Sequence, residues 1–440
     1  MAYLPNFIFA IVLFSAFFLF SRNIISLKKN IRLGKSIDRS DQPFQRWSNM
    51  LRMALGQSKM VSRPIAGMLH IVVYLGFIII NIELVEIILD GLLGTHRLLA
   101  SYLGSLYDLL IASFEIFALL VLISVLIFWL RRNALKIKRF WKAEMQGWPK
   151  TDANLILYFE VVLMGLFLSM NATDALLQEA AVPHYTRAGL FPVSQWMMPL
   201  FSSFSLSTLV ILERSFWWLH IVGIFIFLNY LYYSKHLHIL LAFPNTYYQN
   251  LNAKGAISNN EEVTREVKLM LDPNANPYAT PPSAEAPSKF GASDVMDLNW
   301  VQLMNAYTCT ECGRCTDECP ANQTGKLLSP RKVMMDTRDR LEEVGKNIRR
   351  NGSFKDDGKQ LLNHYISPEE LWACTSCNAC VESCPVGIDP LSIIMDMRQY
   401  LVMEQSAAPS DLNKMMSNIE NNGAPWPFSN QDRLLWANHN

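Results

Sequence analysis

The chain has 440 residues, of which 51% are apolar and 18% charged, and its formal net charge is +1. That balance excludes a nucleic-acid binder and does not suit a soluble oxidoreductase. The apolar residues concentrate before about residue 245, whereas all 8 cysteines follow residue 308.

Crossing about 30 Å of hydrocarbon takes roughly 20 apolar residues in a helix. Five runs meet this need, near 4–25, 64–92, 106–130, 154–170 and 209–241. Lysine and arginine crowd the segments after the first and third runs, from Lys28 to Arg63 and from Arg131 to Lys142. The intervening connections carry little beyond Arg97 and Arg187. The positive-inside rule then places the amino terminus outside and the cysteines in the cytoplasm, the reducing side of a bacterial inner membrane. The first run lacks the basic flank and cleavage site of a secretory signal and reads as a retained anchor. After it, Phe44 to Leu55 has the spacing of an amphipathic helix lying on anionic lipid, with a partner surface as the alternative.

Histidine placement points to haem. His70 lies roughly 9 Å inside the cytoplasmic end of the second run at 1.5 Å per residue from Pro64, and His238 lies at a similar depth in the fifth. Neutral imidazole is an axial ligand of haem iron, so the two are expected to clamp a b-type haem. On one continuous helix His220 and His238 would share a face, with His236 pointing away; His236 is therefore given a place at the membrane surface. His220 is a candidate for a second haem, with His96 or His184 as partner if those outer loops fold back. A quinone pocket and a core hydrogen bond are its alternatives. No C-x-x-C-H motif occurs, which excludes covalent haem attachment. Glu83, Glu86, Asp90, Glu115 and Glu160 fall within or at the edges of the runs, where ionisable groups mark proton or substrate routes. Glu83 and Glu86 are the candidates for protons linked to quinol.

The apolar character ends near Pro244. Residues 244–289, rich in proline and alanine toward the end, read as a flexible tether. Residues 290–405 follow as a soluble domain whose long stretches have helical spacing, and residues 406–440 form a Trp-bearing tail suited to partner docking. The fold class expected is all-α: a five-span membrane bundle at 1–243, then a helical ferredoxin.

Two runs carry every cysteine: Cys309, Cys312, Cys315, Cys319-Pro320 and Cys374, Cys377, Cys380, Cys384-Pro385. Each reads C-x2-C-x2-C-x3-C-P, the spacing that holds 4Fe–4S clusters, with the fourth cysteine of each run ligating the other cluster. Cluster 1 is therefore expected to use Cys309, Cys312, Cys315 and Cys384, and cluster 2 Cys374, Cys377, Cys380 and Cys319. Zinc prefers separated ligand pairs, and a disulfide framework is foreign to a cytoplasmic chain of this length. Gly313 eases the first turn, and Arg314 is a candidate for tuning the cluster or meeting a partner.

On these residues two resemblances can be stated. The five-span region, with His220 and His238 eighteen residues apart, resembles the gamma-subunit type of nitrate reductase cytochromes b. It departs at Ile80, where that family has a second ligand on the second span. The cysteine runs, with Cys319-Pro-Ala-Asn-Gln-Thr-Gly-Lys-Leu-Leu-Ser-Pro-Arg331 between them, resemble heterodisulfide-reductase-related membrane iron–sulfur proteins. The combined order resembles proteins passing electrons from electron-transfer flavoprotein to menaquinone. Larger relatives of that kind continue into cysteine-rich C-C-G domains, so the resemblance implies a separate C-C-G iron–sulfur subunit as partner. The implied role is a membrane-anchored electron-transfer subunit of a quinone-reactive complex, using two 4Fe–4S clusters, haem b and menaquinone. The alternative is the membrane arm of a heterodisulfide-like reductase with quinol as donor.

Overall fold

The computed structural model describes residues 3–253, 255–257, 259–274 and 289–437. Among the described residues five helices are long and apolar enough to cross a membrane: α1 (Leu4–Ile31), a short surface helix α2 (Pro43–Met50) intervening, α3 (Pro64–Leu93), α4 (Ser105–Trp129), α5 (Trp148–Glu179) and α6 (Leu206–Tyr230). Among the described residues no sheet forms, only isolated bridges such as Lys35 with Asn299.

The bundle is apolar outside and keeps ionisable groups within, beside an apolar core that includes Phe114, Phe167 and Ile221. Phe14, Leu109 and Ile211 point outward and are exposed, whereas Glu83, Glu115, Asn171, Asp174, Glu213 and His220 are buried. In hydrocarbon that arrangement is the cheaper one, because an ionisable side chain facing lipid keeps no partner.

Two spans differ from expectation. The fourth was expected over 154–170, yet α5 continues to Glu179. Its polar last turns are kept helical by partners inside the bundle: Asn171 donates to Glu115 at 3.1 Å, and Asp174 accepts from Arg97 Nε at 2.7 Å. The fifth was expected to run to 241, but α6 ends at Tyr230 and a new helix, α7 (His238–Tyr247), begins after two tight turns. Ser234 is extended there, and its Oγ accepts from His236 N–H at 3.1 Å. Asp152 ties down the break by accepting from the Tyr230 hydroxyl at 2.5 Å and from Lys235 N–H at 3.1 Å. The expectation that His220 and His238 share one face of a continuous helix is therefore corrected. So is the beginning of the expected tether, since Asn245 and Thr246 are buried in α7 and the described part of 244–274 includes a further helix, Glu261–Leu271. The proline- and alanine-rich stretch at 275–288 lies outside the described residues.

The cysteine-bearing part is built on α8 (Trp300–Thr308), α9 (Pro330–Asn351) and α10 (Pro390–Met403). Reciprocal capping sets the start of α8, where Asn299 accepts from backbone N–H groups and Gln302 reaches back. Ser329 caps α9, whose other end stops at Gly352 in the left-handed region. The hydrophobic core of this part does not stop at its own boundary. Leu27 of α1 and Leu231 and Leu237 beyond α6 belong to the same buried cluster as Leu303, Met334, Ile393 and Met397.

Ion pairs and hydrogen bonds complete the junction. Arg63 pairs with Asp317 at 2.9 Å and with Glu318 at 3.0 Å. Arg331, fully buried, donates to Arg139 O and to Glu144, both at 2.7 Å. Asn245 donates to Val386 O at 2.8 Å. The basic connections that follow the first and third spans thus hold the acidic turns beside the cysteines, and the two parts form one body on that side of the bundle.

Candidate metal centres

The two cysteine runs fold alike, residue for residue. Glu311 and Ser376, each two residues after the first cysteine, lie at φ 54° and 57°. Gly313 and Asn378, each following the second cysteine, lie at φ 75° and 61°. Glycine and asparagine are the residues that enter this region at least cost. Gly313 is required for a second reason: a Cβ there would stand 2.5 Å from Arg331 Nη1. A short helix follows in each run, Arg314–Asp317 and Ala379–Ser383, and the fourth cysteine is extended before its proline.

This geometry gathers the thiols crosswise. Cys309, Cys312, Cys315 and Cys384 line one cavity under Arg331 and Met334, and Cys380 also reaches it. Cys374 has Cys319 and Cys377 as its charged sulfur neighbours, and Cys380 has Cys374 and Cys319. Burial, then the Glu311 carboxylate and neighbouring sulfurs, pushes the Cys309 thiol up to about 12, and burial, then Cys312, pushes that of Cys384 up to about 11. Four such groups cannot all ionise side by side without a compensating cationic centre, which is what iron in a cluster supplies. Backbone N–H groups already point at sulfur, Ile388 to Cys384 at 3.3 Å and Ser376 to Cys374 at 3.4 Å. The donor set therefore fits two 4Fe–4S clusters.

The two groups differ in surroundings. Cys377 is exposed, while Cys309 and Cys384 are buried in the core that also takes in Leu27, Leu231 and Leu237. Arg314, beside Cys315, donates to Lys59 O at 2.8 Å and reaches Met60 O at 3.4 Å, in the strap that leads into α3. It does so while lying within electrostatic reach of His70. Its place is thus at the junction, and it is 4% exposed, so a surface role is excluded.

His70, His236 and His238 come together at this junction. The His236 and His238 rings are 5.6 Å apart, and both interact with His70. His238 donates Nδ1–H to Lys235 O at 3.0 Å, which fixes its tautomer and leaves Nε2 free. His70 Nδ1 is buried without a hydrogen-bond partner. Burial, then His238 and His70, lowers the His236 pKa to about 3, so its imidazole is neutral. The expectation that His236 points away from His238 is corrected: the helix break at Ser234 turns it into the same group. His220 stands apart, its Nδ1 bonded to Leu163 O at 3.0 Å and its ring 5.8 Å from Phe167. His96 and His184 do fold together, rings 5.6 Å apart, but at the far end of the bundle, where His96 bonds Asp174 at 3.0 Å.

Several residues at the site carry no signal in their spacing. Glu311, only 3% exposed, sits between Cys309 and Cys312 and joins Lys235 (a contact shorter than an ordinary hydrogen bond) to Arg338 at 2.8 Å. Lys235 thereby touches both centres, its carbonyl on His238 and its ammonium on Glu311. Arg398 donates to Leu371 O and Cys374 O and stacks over Trp372, holding the second run. At the far end a cavity of ≈ 410 Å³ is lined by Glu83, Glu86, Asp174 and Glu213 together with Phe9 and Trp217.

Comparison with known proteins agrees with the cysteine geometry. Residues 308–388 match the 4Fe-4S dicluster domain family. Over 98% of its length the chain is 27% identical to a probable iron-sulfur-binding oxidoreductase, FadF, of Bacillus subtilis, covering 60% of that protein. It is 24% identical to EtfAB:quinone oxidoreductase of Syntrophomonas wolfei, over 91% of this chain and 55% of that one. Over 27% of its length the chain is 27% identical to one of the subunits of the ferredoxin/F420H2-dependent CoB-CoM heterodisulfide reductase from Methanosarcina acetivorans, over 60% of that polypeptide. No solved structure matches the chain. The chain thus spans less than two thirds of the two long relatives. It is a helical, multi-span membrane protein bearing a 4Fe–4S dicluster domain, and its relatives are iron–sulfur oxidoreductases.

Proposed function

We propose that this chain is a membrane-anchored electron-transfer subunit that links a soluble flavoprotein or iron–sulfur partner with menaquinone. One observation carries the reading: His70, His236 and His238 gather at the junction, with Arg314, the neighbour of Cys315 in the first site, within electrostatic reach of His70, while the second site reaches the surface at Cys377. A histidine group linked through Arg314 to one thiol site, and a second thiol site open to the surface, are the parts that a path from membrane to partner requires. The relative named as a quinone oxidoreductase supports quinone as the membrane-side reactant. The basic segments on the cysteine side support a cytoplasmic orientation.

Cys309, Cys312, Cys315 and Cys384 would hold cluster 1, and Cys374, Cys377, Cys380 and Cys319 cluster 2; the clusters supply one-electron redox chemistry when bound. His70 and His238 would hold a b-type haem: His70 Nδ1 is buried with no hydrogen-bond partner among the described residues, and His238 keeps Nε2 once its Nδ1–H is bonded to Lys235 O. Asp152 and Lys235 serve this pair by holding the turn that aims His238. His220, whose Nδ1 is also fixed on a carbonyl, keeps Nε2 for a second haem or for a neighbouring ligand.

Purified full-length protein is expected to show a b-type band in its reduced-minus-oxidised spectrum. His70→Ala and His238→Ala should each remove one haem per chain from that band while leaving iron–sulfur iron intact. An undiminished haem content in both variants would show that these histidines are not the ligands. The match to a heterodisulfide reductase polypeptide favours a second reading, in which quinol reduces a disulfide through a partner. Copurifying subunits distinguish the two: a flavoprotein supports the first, and a disulfide-reducing partner the second.

A further inference from the structure

We propose that the far-end cavity is the binding site for a quinone ring, with Glu83 as the residue that bonds a ring oxygen. This rests on the quinone-linked function proposed above and adds the location and the contacting group. The cavity lies between α1, α3, α5 and α6, at the end of the bundle away from the cysteines, and at ≈ 410 Å³ it has the size of a small-ligand site.

Its chemistry is divided. One wall is aromatic: Phe9 stands 5.5 Å from Trp217 and 6.0 Å from Trp218, measured between ring centroids, and all three line the space. Such a wall takes a flat ring by stacking or edge contact. Opposite it, most polar groups are already occupied. Glu86 accepts from Leu99 N–H at 2.9 Å and from the Tyr107 hydroxyl at 2.8 Å. Asp174 is held by His96 and Arg97, and Glu213 by Tyr185 and Arg214. Glu83 differs. It is 3% exposed, lines the cavity, and its Oε2 has no hydrogen-bond partner.

A buried oxygen of this kind costs free energy until a ligand meets it. The cations nearby are engaged by other carboxylates, so an anionic ligand finds no free counter-charge. A neutral ring whose oxygen can either accept from a carboxylic acid or donate to a carboxylate suits Glu83 in both protonation states. Quinone and quinol are that pair, and a lipophilic tail lets them arrive through the bilayer that surrounds these four helices.

The test uses purified full-length protein in mild detergent, with the quinone analogue 2-heptyl-4-hydroxyquinoline N-oxide as probe and quenching of its fluorescence as readout. Wild type is expected to bind one probe per chain. Glu83→Leu and Trp217→Ala should each weaken binding by about tenfold or more, the scale of one lost buried hydrogen bond or ring contact. Glu83→Gln, which keeps a donor and an acceptor, should stay within about threefold. Comparisons are confined to variants whose iron content and elution profile equal those of wild type, and Trp218→Ala replaces any that fails to fold. Undiminished binding in the cavity variants would overturn this location and leave the quinone-linked function standing. Absence of quenching with wild type would overturn both.

Discussion

Replacing Cys384 with alanine is expected to remove the cluster held by Cys309, Cys312 and Cys315, although Cys384 belongs to the second run. Non-haem iron should fall from about eight to about four per chain, with the remaining cluster seated at Cys374, Cys377, Cys380 and Cys319. The reason is geometric: Cys384 shares its cavity with the first run's thiols, and Cys319 is the sulfur neighbour of Cys374. Cys319→Ala is expected to have the reciprocal effect. Electron paramagnetic resonance of the two variants identifies which cluster survives. The same pair reports the order of the path. Quinol should still reduce the cluster left in Cys319→Ala, whose site carries Arg314 within electrostatic reach of His70, and should fail to reduce the one left in Cys384→Ala. Loss of the second run's cluster in Cys384→Ala would establish ligation within each run and refute the crosswise arrangement.

A comparably large effect is expected at Glu311, through stability rather than ligation. Glu311→Gln removes the carboxylate between Lys235 and Arg338, leaving Lys235 with Asp152 at 3.8 Å and Arg338 with the exposed Asp339 at 3.1 Å, and both cations are largely buried. Breaking a buried ionic network from one side costs about 3–5 kcal/mol. The membrane and cysteine-bearing parts meet here, so the loss should appear as a lower thermal midpoint in detergent and as faster proteolytic separation of the two parts. Equal midpoints for variant and wild type would show that the shared apolar core alone holds them together. The pH dependence has a defined sign. Burial alone would raise the Glu311 pKa, but Lys235 and Arg338 hold it below the usual carboxylate range. Burial also lowers the Lys235 pKa, with Glu311 opposing it; the carboxylate with two cations upon it governs the network near neutrality. A depressed carboxylate pKa contributes stability that is complete above about pH 4.3, its unfolded value, and is lost as pH falls through the folded value. Wild type should therefore lose this increment only in acid, and Glu311→Gln should show no such step.

The placement of Arg314 and Glu311 explains how the junction works. Both lie in the turn between the first and third cysteines, and both reach out of it, Arg314 to the strap before α3 and Glu311 to Lys235 after α6. The turn that surrounds the buried thiols is thus also the surface that grips the bundle. A change at either residue is expected to disturb cluster and histidines together, which makes them poor probes of one alone.

The sequence by itself determined the parts of this protein that depend on local pattern. Long apolar runs declared the five spans, because hydrocarbon demands about twenty residues in a helix. The spacing C-x2-C-x2-C-x3-C-P declared the cysteine sites, because a cubane constrains the turn that encloses it. Boundaries were less legible. α5 outruns its apolar stretch because Asn171 and Asp174 find partners inside the bundle, and α6 stops early because Asp152, far back in the chain, holds the turn at Lys235. Only the tertiary structure decided which histidines meet. A helical wheel separated His236 from His238 by angle, and a single extended residue, Ser234, cancelled that register and brought both to His70. The ion network through Lys235, Glu311 and Arg338 was likewise invisible, since charge pairing between distant segments leaves no period in either. Local chemistry is written in spacing; contacts between remote elements are settled only when the chain is packed.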